Sequence, residues 1–308
     1  MHFLFFNSFA KLFRVQNEEL KNNVENENIN YNAPEWKELY EYEREQSLII
    51  PTPNNPPWSS WIAIVFWLIS VFSIIIFPAF FLIPYFAFNP ITSLENIQND
   101  PTAIILNVLA VIPAHIFTII VAWFIVTKNK KFSFKQTLGW SPDNFRWFYY
   151  ILILVGFFAI AGVVNYFIPE QDNDLLRILR SSRTVVYIVA FLATFTAPLV
   201  EEVVYRGVLY SAIQRSIGVK GAIAIVTALF ALIHVPQYWG SPGTIILICL
   251  LSLVLTLVRV STGNLLPCII LHTIFNGIQS LFLVLQPFLP ENIGGTSEQT
   301  AAIIKFWT

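Results

Sequence analysis

From Trp58 onward the chain is a succession of apolar stretches about twenty residues long, parted by short polar loops. No other feature narrows the possible folds so far. A helix rising about 1.5 Å per residue crosses the roughly 30 Å of bilayer hydrocarbon in one such stretch. In lipid every backbone N–H and C=O must be satisfied within the protein, and no alternating strand pattern runs through these segments, so the spanning form is helical. Composition agrees. Of 308 residues 56% are hydrophobic and 12% charged, whereas soluble domains are roughly a quarter charged.

The spans are predicted at about Trp58–Phe86, with Pro78 and Pro84 kinking or ending it, then Thr102–Thr127 and Phe145–Ile168. A fourth starts near Val185, and the rest are Gly221–Val235, Gly243–Val260 and Leu265–Phe288. This is an all-α, polytopic transmembrane bundle of about seven spans. Residues 1–57 read as a polar cytosolic tail ending in a proline-rich linker. Its apolar start could lie on the membrane surface, and one short helix is expected over Pro34–Gln46. Residues 58–180 form the N-terminal membrane helices, 181–290 the core, and 291–308 a C-terminal tail too short to span.

Lys128, Lys130, Lys131, Lys135 and Arg146 crowd one loop, whereas 87–101 holds no lysine or arginine. The positive-inside rule puts that loop and the N-terminus in the cytoplasm, with Arg215, Lys220 and Arg259 on the same side. Arg177, Arg180 and Arg183 fall on the other side, beside acidic neighbours. The reading is a multi-pass protein of the plasma (inner) membrane, with the bilayer as its surroundings. A net charge of −1 and the lack of a basic–aromatic run exclude a nucleic-acid partner. Cys249 and Cys268 lack CxxC spacing and read as buried thiols.

Within the fourth span stand Glu201 and Glu202, followed by Tyr205 and Arg206. A carboxylate at bilayer depth costs about 3 kcal/mol on insertion scales, so such a pair marks a functional site. Residues four apart share a helix face, so Glu202 can pair with Arg206, in the favoured order. Glu201 points about 100° away and is left as the candidate base. Two further strings carry polar groups at depth: Phe230 with His234, and His272 with Asn276. Glu202 and His234 each lie sixteen residues from Gly218. A hairpin turning there lifts both about 24 Å and brings them level. His272, counted from Asn264, stands only about 12 Å up, and tilt or a protruding turn is expected to absorb the difference.

A carboxylate and an imidazole can take a proton from water while a histidine and an asparagine donate to an oxyanion. Equally, Glu201, His234 and His272 could hold Zn²⁺ with an open position. The spacing does not choose between them. His115 belongs to no string and reads as packing; Asn107 and Asn165 carry no assignment.

The strings EEVVYR, FALIH and HTIFN resemble, in order, the three motifs of the CPBP family of intramembrane proteases, which includes CAAX-prenyl endopeptidases and bacterial Abi-type proteins. The resemblance covers about residues 184–290. It implies that Glu201 and His234 activate water and that His272 and Asn276 stabilise the oxyanion, with Glu202 and Arg206 supporting. It also implies eight spans rather than seven. A prenylated substrate is not carried over, because bacterial members lack that substrate pool; metal dependence stays open. The expected function is an endopeptidase acting on a membrane-associated protein or peptide. The rival expectations are a non-catalytic adaptor or immunity-type peptide binder, and a proton-coupled transporter. No duplicated motif of the kind transporters show is present.

Overall fold

The structure, a computed structural model, describes residues 50–89, 94–142, 145–169 and 171–288. The expected Pro34–Gln46 helix, the apolar start and the C-terminal tail lie outside these residues. Twelve α-helices make up the described fold, and no strand occurs among the described residues. They are α1 (Ser60–Phe88), α2 (Leu94–Asn99), α3 (Pro101–Leu109), α4 (Val111–Thr127), α5 (Phe134–Leu138) and α6 (Trp147–Phe167). After these come α7 (Asp174–Ser181), α8 (Arg183–Phe191), α9 (Ala197–Glu202), α10 (Tyr210–His234), α11 (Pro242–Thr262) and α12 (Leu266–Leu285). Two π-helical turns, Leu192–Thr196 and Val203–Leu209, join α8 to α9 and α9 to α10.

Six helical runs are long and apolar enough to cross a membrane: Ser60–Phe88, Pro101–Thr127, Trp147–Phe167, Arg183–His234, Pro242–Thr262 and Leu266–Leu285. The expected fourth and fifth spans both fall in the 52-residue run Arg183–His234. That run breaks at Gly218, where φ 81 and ψ 168 are non-helical and suit a residue without a Cβ. The chain folds back there, for the Arg206 guanidinium lies 4.7 Å from the Phe230 ring centroid, each residue twelve positions from Gly218. The predicted turn is therefore where the counting placed it. Pro78 and Pro84 do not end the first span: α1 runs through both to Phe88. Proline is tolerated at bilayer depth when neighbouring helices satisfy the freed backbone groups.

The Arg177 and Arg180 cluster belongs to α7, an amphipathic helix with Leu176 and Leu179 buried. Its arginines pair with Asp174 and Asp172.

Residues 52–57, expected as linker, are bonded to the helical body. Arg259 donates to Asn54 Oδ1 (3.1 Å) and to Pro53 O (2.6 Å). Arg215 reaches Asn55 Oδ1 and Pro56 O, and Gln214 reaches Asn54 O. Trp58 Nε1 donates to Val208 O at 3.0 Å. Gly139, with φ 74, accepts from Leu265 N at 2.7 Å and brings the lysine-rich loop to this same end. A Cβ there would stand 2.9 Å from Asn264 Cα and Pro53 Cγ.

Asp100 caps α3 just outside the second span, accepting from Thr102 N (2.7 Å), Ala103 N (3.2 Å) and the Tyr85 hydroxyl (2.9 Å). The Tyr85 hydrogen bond, together with those backbone donors, holds its carboxyl below the ordinary range despite partial burial. A depressed carboxyl stabilises the fold above its unfolded pKa, and that contribution fades as pH falls through the folded value. Asp100→Ala is expected to cost about 1 kcal/mol at neutral pH. Thermal midpoints should converge with wild type once the pH falls below the carboxylate range; a gap that persists in acid would contradict the account.

Candidate active site

The two glutamates occupy unlike surroundings. Glu202 and Arg206 are both fully buried, with Arg206 Nη1 donating to Glu202 Oε1 at 2.8 Å. Three further guanidinium hydrogens go to α11: Nη2 to Ser252 O (2.9 Å) and Ser252 Oγ (2.8 Å), Nε to Thr256 Oγ1 (3.3 Å). A planar fork with five donors suits such a site, where an ammonium would leave acceptors unmet. Glu202 Oε1 also accepts from His272 Nδ1 at 2.9 Å. Its Oε2 has no hydrogen-bond partner among the described residues. The expected pair thus forms, and the sequence reading missed that Glu202 also orients a histidine.

Glu201 is the accessible member, its side chain 22% exposed, with Oε2 at 3.8 Å from His272 Nε2. Because a carboxylate only accepts, His272 donates from Nδ1 to Glu202 and turns Nε2 to Glu201. His234 is fixed by the same logic. Its Nδ1 lies 2.7 Å from Phe230 O, a carbonyl that can only accept, so Nε2 carries the free lone pair. Phe230 joins the parts: its ring lies 4.8 Å from the His234 ring, 6.2 Å from His272 and 5.0 Å from Tyr205. His234 forms no ion pair with Glu201 among the described residues; the carboxylate nearest an imidazole there is paired with His272.

His272 reaches this level without special tilt. Gly207 packs against Leu265, a Cβ on it lying 3.3 Å from Leu265 Cδ2. Leu265 is therefore level with Gly207, not with the Gly218 turn. Five residues up from Gly207 is Glu202, and seven up from Leu265 is His272, a mismatch of about 3 Å.

Asn276 sits beside the first π turn. There Ala197 N bonds to Leu192 O, one residue further back than in an α-helix. Ala193 O would then need the amide hydrogen of residue 198, which is a proline and has none. Asn276 Nδ2 supplies the missing donor at 2.9 Å. His115, read as packing, meets Thr196 Oγ1 at 2.9 Å at the same turn.

The groups gathered here can hold a water against a carboxylate, accept protons at imidazole nitrogens and donate from amide and imidazole N–H. As a metal site they fit less well: among the described residues no three His, Cys, Asp or Glu side chains are grouped to hold one ion.

Ser252 and Thr256 escaped the sequence reading, although two hydroxyls four apart on an apolar span were a visible signal. Trp67, whose Nε1 donates to Tyr205 Oη at 3.0 Å, gave none.

Within this bundle of apolar, membrane-length helices, the segment that carries the site is similar to CAAX protease-like hydrolases. The model of the type II CAAX prenyl endopeptidase Rce1-like family matches residues 183–278, from the start of α8 into α12. No curated protein and no solved structure matches the chain.

Proposed function

We propose that this chain is an intramembrane endopeptidase that hydrolyses a peptide bond of a membrane-associated protein or peptide. The observation that supports it best is the accessible Glu201 carboxylate facing the Nε2 of a histidine whose other nitrogen is held by Glu202.

Glu201, with His234 Nε2 as a second acceptor, takes a proton from a water molecule while the water oxygen attacks the scissile carbonyl carbon. The oxyanion that forms is stabilised by His272 Nε2–H, when that ring carries both protons, and by the second hydrogen of Asn276 Nδ2. The proton then passes from Glu201 to the leaving nitrogen as the C–N bond breaks. In this reading Glu202 and Arg206 hold His272 in register, and Tyr205 and Phe230 support the two acceptors. The chain sits in the plasma membrane with its N-terminus in the cytoplasm.

Glu201→Gln keeps the side-chain shape and removes the proton acceptor. Turnover of a membrane-inserted peptide should fall by about 10²- to 10⁴-fold with the thermal midpoint unchanged. Full turnover by this variant would sink the assignment.

A further inference from the structure

The Trp67–Tyr205 bond ties the first membrane span to the helix that bears the glutamates. The Trp67 indole is a donor only, so the Tyr205 oxygen accepts from it at 3.0 Å. A phenol has two favourable in-plane directions at oxygen. With one taken by the indole N–H, the hydroxyl hydrogen is sent along the other.

Tyr205 is almost fully buried, so that hydrogen needs an acceptor. The carboxylate one helical turn before it is Glu201. No direct hydrogen bond joins the two among the described residues, and a single water bonded to both would complete the link. The ring itself has little freedom to turn away: Phe230 meets it edge-on at 5.0 Å, and the Arg206 guanidinium lies 6.0 Å from its centroid.

We propose that Trp67 is a positioning residue of the catalytic centre, fixing the Tyr205 hydroxyl so that its hydrogen points to the water on Glu201. This rests on the reading of Glu201 as the proton acceptor. The water that Glu201 is to deprotonate then has two fixed partners rather than one, and its free lone pair is turned towards the substrate. Positioning of this kind acts on the chemical step and not on substrate binding. Trp67 lies on α1, outside the 183–278 match, so the family motifs alone do not contain it.

The test uses the full-length protein in lipid nanodiscs, with Tyr205→Phe and Trp67→Phe, each of which keeps an aromatic ring in its slot. The infrared phenol C–O band of Tyr205, isolated as wild type minus Tyr205→Phe, distinguishes a hydroxyl that donates from one that only accepts. It is expected to shift in both Trp67→Phe and Glu201→Gln. If either substitution leaves it in place, the inference fails, whatever the turnover. In kinetics on a membrane-inserted quenched peptide, each single variant should lower kcat about tenfold, the weight of one hydrogen bond, at unchanged KM. The double variant should be no slower than Tyr205→Phe. Losses that multiply, or that fall on KM, overturn the proposal. Full turnover in Glu201→Gln would instead overturn the assignment beneath it, and the two failures are told apart by that one variant.

Discussion

Arg206→Met should leave little folded protein in the membrane. The substitution removes a guanidinium that is fully buried and replaces it with a side chain of similar length and no charge. What it strands matters more than what it takes away. Glu202 stays at 0% side-chain exposure, losing the 2.8 Å bond from Nη1 and keeping only His272. Ser252 O and Oγ lose their donors in α11 as well. Breaking one side of a buried ion pair costs about 3–5 kcal/mol, because the surviving charge has neither partner nor water. Total stability is only about 5–15 kcal/mol, so this is a large share of it. Arg206→Lys should recover part of the loss, since a point charge can answer Glu202 but cannot span Ser252 and Thr256. Thermal midpoints in nanodiscs rank the three proteins: wild type, then lysine, then methionine. A methionine variant as stable as wild type would mean the pair contributes nothing to holding α9 against α11.

Glu202→Gln tests the same site from its other end and should separate stability from turnover. A glutamine can place Oε1 where the carboxylate oxygen accepts from both Arg206 and His272. Its NH₂ then takes the position of Oε2, which has no hydrogen-bond partner among the described residues. The shape survives, at the cost of an unpaired amide worth about 1–3 kcal/mol. The charge does not survive. In the proposed mechanism His272 donates from Nε2 while Nδ1 stays bonded to residue 202, and a doubly protonated ring needs a negative partner. Neutralising the carboxylate behind a catalytic histidine costs about 10⁴-fold in kcat in the serine-protease triad. A loss of about 10³-fold is the expectation here, read as kcat at unchanged KM. Loss confined to KM would place His272 in substrate binding instead.

Much of this centre was legible because helical spacing is local. The i, i+4 rule joined Glu202 to Arg206 and set Glu201 apart, and the structure reproduces both. Equal counts either side of Gly218 placed the hairpin, because a helix has a fixed rise and a glycine at φ 81 marks its turn. Heights between helices that are not joined by a tight turn were less legible. His272 was set too low because its height was counted from Asn264 as though that residue were level with Gly218. Leu265 in fact packs at Gly207, and the hairpin extends past it. The π turns could not be read from spacing, since they depend on one displaced hydrogen bond each. Pro198 was the only local hint of the first. The partner of His234 is its own helix backbone, and no pattern of side chains announces such a bond.

The bonds from Arg259 and Arg215 to residues 53–56, and from Trp58 and Trp67 to Val208 and Tyr205, bear on what counts as a module here. All of them cross from the matched segment to the part of the chain that precedes it. The boundary of likeness at residue 183 is therefore not a boundary of cooperativity. A piece cut at that point would carry every motif residue, yet Arg215 and Arg259 would lose the carbonyls of Pro56 and Pro53, and Tyr205 its indole. Motif and autonomy have different extents in this protein. The chemistry of the matched segment is held in place by a stretch of chain outside it that supplies those few partners.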